Sequence, residues 1–163
     1  MKILGIGDLG ATNTPNDGLR TFALGSCVAV IILYPRTRTV GMVHIALPDS
    51  AIDSSNRAQT QPGYFADTAI PALFRKMQIF GTEQEIKKIG LIVKIAGGAN
   101  VMVPDETFKI GMRNIQAVKN ILKSYGLRPI AEDVGGNISR TVTVHVNTGE
   151  VVLTSPAKGR WNI

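Results

Sequence analysis

The chain has 163 residues, 44% of them hydrophobic and 18% charged, a formal net charge of +6 and a single cysteine. That length suits one domain spanning 1–163 with a core that needs neither disulfides nor metals, and one cysteine excludes an intramolecular disulfide. No apolar run approaches the ~18 residues of a membrane helix, and the opening Met1-Lys2-Ile3-Leu4-Gly5-Ile6-Gly7-Asp8 lacks the apolar stretch of a signal peptide; the expected setting is a reducing cytoplasm without membrane insertion.

The basic residues are scattered, and no aromatic side chains interleave with them as a base-stacking platform requires. A nucleic-acid partner is therefore not expected. A solvated basic surface or an acidic protein partner fits the charge better.

In chain order, residues 2–6 read as a short strand and 8–20, rich in turn formers, as a loop. Cys27 to Tyr34 is an apolar, β-branched run of buried-strand length, Pro35 to Arg38 a turn, and Thr39 to Ala46 a second strand closed by Leu47-Pro48-Asp49-Ser50. A four-residue loop over 35–38 puts Cys27 opposite Ala46, with His44 one diagonal step away on the same face. A two-residue loop would set Cys27 against His44 itself but suits proline poorly. An odd loop with a bulge would send the two to opposite faces.

The polar stretch 51–63 reads as a long loop. Tyr64 to Phe80 has helical periodicity, starting near Asp67 or Thr68 if Pro71 falls in the first turn, and otherwise kinked there; Gly81 ends it. Leu91 to Ile95 is a third buried strand, Val101 to Ile110 reads as irregular, and Gly111 to Tyr125 is the clearest helix, with Ile115, Val118, Leu122 and Tyr125 on one stripe. Ile130 to Asp133 is a short strand, Thr141 to Val146 and Val151 to Leu153 a hairpin, and the tail from Ser155 onward reads as frayed apart from Trp161.

A lone cysteine on an apolar strand is most often inert packing. Cys27 differs in standing at a strand's start, after Gly25-Ser26, where backbone amides are free to face a substrate oxyanion and glycine permits close approach. His44, one of two histidines, is placed to take the thiol proton and form a thiolate–imidazolium pair. His145 lies on the alternating strand and reads as outward or cross-strand. A third group normally orients such an imidazole; Thr21, Ser26 and Asp49 are candidates, and spacing alone does not choose among them. One cysteine and two histidines on separate strands make no metal-ligand pattern. The glycine pairs Gly97-Gly98 and Gly135-Gly136 match no phosphate loop and read as tight turns or close backbone approach at a site rim.

Six ordered blocks carry a family resemblance: Thr21…Leu24-Gly25-Ser26-Cys27-Val28-Ala29-Val30, His44…Leu47-Pro48-Asp49-Ser50, Tyr64-Phe65-Ala66-Asp67-Thr68-Ala69, Lys94-Ile95-Ala96-Gly97-Gly98-Ala99, Ile110-Gly111-Met112-Arg113-Asn114 and Ala131-Glu132-Asp133-Val134-Gly135-Gly136-Asn137. Together they resemble CheD, the chemoreceptor glutamine deamidases, from about residue 3 to 154. The resemblance implies an α+β fold, a mixed β-sheet sandwich with flanking helices like the deamidase domain of cytotoxic necrotizing factor toxins. It implies a cytoplasmic, cofactor-free cysteine amidohydrolase that converts receptor glutamines to glutamate, with Cys27, His44 and Thr21 as the triad. Methyl-accepting chemotaxis receptors would be substrates, and the phosphatase CheC a partner that competes with them; a non-catalytic adaptor binding either is the alternative. Gly25 and Ser26 fall at the oxyanion side, and Phe108, Gly97 and Gly98 at substrate or partner contacts. The chain departs from the family pattern in its longer polar loop at 51–62 and over 101–108.

Overall fold

The computed structural model describes the backbone of residues 1–100 and 106–163 and the side chains of 1–100 and 109–163. Among the described residues, ten strands form two five-stranded sheets. The first runs, in spatial order, β1 (Lys2–Leu4), β3 (Gly18–Leu24), β8 (Arg140–His145), β9 (Val151–Ser155) and β10 (Gly159–Asn162). The second runs β2 (Leu9–Thr12), β5 (Thr39–Ile45), β4 (Val28–Tyr34), β6 (Ile92–Gly97) and β7 (Ala131–Val134). Both are mixed: β1 pairs β3 in parallel, β6 pairs β7 in parallel, and the other neighbours are antiparallel.

The continuous apolar run of β4 is explained by burial on both faces. Ala29, Ile31 and Leu33 pack with Leu19, Leu24, Val142, Val144 and Leu153 of the first sheet. Val28, Val30 and Ile32 pack with Ile70, Leu73, Val118 and Leu122, which belong to α2 (Ala66–Lys76) and α4 (Glu106–Ser124). The molecule is thus layered as sheet, sheet and helices, an α+β arrangement with both main helices on one side. β8 shows the opposite pattern: Val142 and Val144 point inward while Thr141, Thr143 and His145 alternate outward.

Several expectations change. The segment 8–20 is not one loop, because Leu9–Thr12 pairs along the edge of β5 and Gly18 already begins β3. The polar stretch 51–63 contains helical turns at Ser50–Ile52 and Pro62–Tyr64 and α1 (Arg57–Thr60). Pro71 lies inside α2 beyond its first turn. A further helix, α3 (Glu83–Lys88), opens on a capping box in which Glu85 N–H donates to Thr82 Oγ1 at 3.3 Å and Thr82 N–H to Glu85 Oε2 at 2.6 Å. Residues 106–110 belong to α4 rather than to irregular chain, while 101–105 and the Phe108 side chain lie outside the described residues. The tail is not frayed, because Gly159–Asn162 pairs with β9 and Trp161 Nε1–H donates to Asp133 Oδ2 at 2.9 Å. Among the described residues no helix is long and apolar enough to cross a membrane.

Candidate active site

The β4–β5 hairpin turns through Pro35–Thr37, with Arg38 in the left-handed region at φ 54°, and its register pairs Val28 with Ile45 and Tyr34 with Thr39. This is the register of the four-residue loop. His44 sits opposite Ala29, and Cys27 immediately precedes the last ladder pair. Cys27 packs with the same inter-sheet cluster that Ala29 and Met42 join, the face of β5 to which His44 also belongs.

Two backbone bonds to the Gly7–Asp8 segment fix His44: its N–H donates to Asp8 O at 3.0 Å and its carbonyl accepts from Gly7 N–H at 2.8 Å. Its side chain is 3% exposed, and Nδ1 lies 2.7 Å from Thr21 Oγ1. Thr21 comes from the other sheet. A register shift between Thr21 and Leu24, with Ala23 at φ 53°, lets both Thr21 and Leu24 turn inward although they are three residues apart.

Thr21 Oγ1 also lies 2.8 Å from Leu4 O. A carbonyl only accepts and a hydroxyl has one hydrogen, so Thr21 donates to Leu4 and accepts from Nδ1–H. This assigns the neutral tautomer of His44: hydrogen on Nδ1, lone pair on Nε2. Nε2 is buried and has no partner among the described residues. Burial lowers the His44 pKa to about 4, opposed in part by the charge of Asp8.

Cys27 is a half-buried free thiol. Burial pushes it up, offset in part by its own backbone N–H. Burial in the inter-sheet surroundings thus disfavours the charged form of both side chains and works against the thiolate–imidazolium pair expected from sequence. No hydrogen bond joins the two in this structure, since Nε2 is unpartnered.

The backbone around Cys27 is held from the β6 side. Gly98 N–H donates to Cys27 O and Ala99 N–H to Gly25 O, both at 2.7 Å. Gly97, at φ 111°, lies so close that a Cβ there would meet Cys27 O at 2.2 Å. The close approach at Gly97-Gly98 is thus made by the protein's own Gly25–Cys27 segment. Gly135 N–H in turn donates to Gly97 O at 2.9 Å. The N–H groups of Ser26 and Cys27 meet no backbone acceptor among the described residues.

Of the three candidates for the third group, Thr21 alone reaches the imidazole. Asp49 accepts from Ala51 N–H at 2.8 Å and caps Ser50–Ile52. Ser26 contributes its carbonyl to Asn114, whose Nδ2 donates to Ser26 O and Ala46 O, each at 2.9 Å. Sequence reasoning passed over Asn114; its signal was an amide four residues before Val118, on the apolar stripe of α4. His145 pairs with Gly18 at the other end of β3. A cleft of about 380 Å³ lined by Tyr34, Arg38, Lys94 and Asn147 lies at the far end of β4 from Cys27.

The profile described as "CheD chemotactic sensory transduction" matches residues 46–155. The chain is 50% identical over 161 residues, 99% of its length and 98% of the relative's, to a "Probable chemoreceptor glutamine deamidase CheD" of Syntrophotalea carbinolica. It is 37% identical, over 97% of its length and 94% of the relative's, to the "Chemoreceptor glutamine deamidase CheD" of Thermotoga maritima. A similarly named protein of Methanococcus maripaludis is 40% identical over 94% of each chain.

Proposed function

The chain belongs to the CheD family, and we propose that it is a cytoplasmic, single-domain protein-glutamine deamidase acting on chemoreceptors, with Cys27 as nucleophile, His44 as base and acid, and Thr21 as the group that orients His44. The observation that carries this reading is the tautomer of His44. Its proton is committed to Thr21 through Nδ1, so Nε2 keeps a lone pair on the inter-sheet face that Cys27 shares.

In the proposed reaction Cys27 Sγ attacks the side-chain carbonyl carbon of a receptor glutamine as its proton passes to His44 Nε2. With both groups neutral at rest, transfer accompanies attack rather than preceding it. The tetrahedral oxyanion is received by backbone N–H groups of the Gly25-Ser26-Cys27 segment, each worth about 3 kcal/mol. His44 then protonates the amide nitrogen, the C–N bond breaks, ammonia leaves and a thioester remains. Water attacks the thioester with His44 again as base, which yields glutamate and restores the thiol. No cofactor enters. The net charge of +6 favours docking on an acidic helical receptor.

The proposal extends to a fold related to the cytotoxic necrotizing factor deamidase domain and to CheC as a competing partner. The test is to incubate the protein with receptor fragments, with and without an added primary amine, and map glutamines by mass spectrometry. Conversion to glutamate adds about one mass unit; the proposal expects it with or without amine. Incorporation of the amine would identify a transglutaminase instead, and unmodified receptor bound tightly would identify an adaptor.

A further inference from the structure

The hydrogen-bonded ladder of β4 and β5 ends at Val28 and Ile45. Just beyond it, the carbonyls of Ser26 and Ala46 converge on one amide nitrogen, Asn114 Nδ2, at 2.9 Å each. Asn114 is fully buried. It reaches the ladder because α4 approaches closely at Gly111, where a Cβ would meet Gly98 O at 2.6 Å. Two carbonyls can be served only by the –NH₂ group, so the amide orientation is fixed and Oδ1 is the atom left over. That Oδ1 is buried without a partner among the described residues. A buried acceptor left unpaired is destabilising, so packing alone does not account for an asparagine here.

Ser26 precedes Cys27, and Ala46 lies two residues past His44. We infer that Asn114 is a positioning residue: by bridging the open end of the hairpin it sets the separation of Cys27 Sγ from His44 Nε2. This rests on the Cys27–His44 reading above.

The test uses Asn114→Ala and Asn114→Asp in the full chain. Asn114→Ala should lower kcat on a glutamine-bearing receptor fragment about 10- to 100-fold, with KM within about twofold. It should also abolish the slowing that His44→Ala imposes on iodoacetamide alkylation of Cys27 at neutral pH. Asn114→Asp gives a second readout. Its carboxyl donates one hydrogen bond when protonated and repels both carbonyls when ionised, so its kcat relative to the parent should recover as pH falls. A residue that only fills volume gives a pH-independent ratio. If Asn114→Ala does not fold, the Asn114→Asp series decides. A pH-independent ratio, or Asn114→Ala protein whose alkylation still responds fully to His44→Ala, would overturn the inference. Parent protein whose alkylation ignores His44→Ala would overturn the Cys27–His44 reading, and this inference with it.

Discussion

Thr21 Oγ1 and His44 Nδ1 lie 2.7 Å apart across the seam between the two sheets, with Leu4 O taking the threonine's own hydrogen. The contact couples fold to chemistry, because either sheet sliding against the other would release the imidazole. Thr21→Val keeps the volume and removes the acceptor. The buried Nδ1–H is then unpaired, which costs about 1–3 kcal/mol, and the ring is free to change tautomer. Turnover should fall at least about 10-fold, and thermal denaturation should show the lost stability. Thr21→Ser should keep most of both.

Burial of both groups makes a pH prediction. His44 falls from its ordinary 6.5 to about 4 on burial. The unfolded chain therefore binds a proton that the folded chain refuses between those values, and stability must drop as pH falls from 6.5 towards 4, by about 3 kcal/mol from this residue. The acid limb of kcat/KM should lie near pH 4 rather than 6.5. Alkylation of Cys27 in the free protein should titrate above the ordinary thiol value, because burial opposes the thiolate. Urea denaturation across pH and a pH–rate series check these points.

Gly97→Ala tests how the Cys27 loop is held. The added methyl would fall 2.2 Å from Cys27 O at a backbone φ of 111°, so the loop must move. The expected result is a loss of about 1–3 kcal/mol, accompanied by a fall in turnover larger than that of Gly135→Ala, where a Cβ meets nothing within 4 Å.

Asp133 ties the sheets together at the other edge. Its carboxylate accepts from Arg140 Nε at 2.6 Å and from Trp161 Nε1 at 2.9 Å, and the Arg140 side chain is buried. Burial pushes the carboxyl up, but Arg140, Trp161 and Lys158 together hold it below its ordinary value. Its contribution is present above the ordinary carboxylate range and is lost as pH falls through the lowered value. Asp133→Ala strands a buried guanidinium and should cost about 3–5 kcal/mol in chemical denaturation. The Cys27 site in the remaining folded fraction should be unaffected.

Much of this was legible in the sequence. Residue numbers favoured a shared face for Cys27 and His44 through an even loop and the period of two, but left open an odd loop that would have separated them; the register is that of the four-residue loop. The two-sided burial of β4 was visible as an uninterrupted apolar run. Two of the edge strands were not legible: Leu9–Thr12 and Gly159–Asn162 contain Gly, Thr and Asn, and owe their extended form to a neighbouring strand. The short α3 buries only Ile86, too little for a periodic signal, although its capping box was there to read. Spacing left Thr21 among three candidates and only the family resemblance singled it out; the bulge at Ala23, which turns it inward, left no sequence signal. The charge state of the site was beyond sequence reasoning, because desolvation is a property of the assembled layers.

The proposed mechanism stands or falls with the Cys27 thiol. The most direct measurement compares the parent protein with Cys27→Ala on the same receptor fragment, following glutamine-to-glutamate conversion by mass while circular dichroism verifies the fold. The parent should convert the glutamines and folded Cys27→Ala should convert none. Comparable conversion by both would contradict the proposed mechanism.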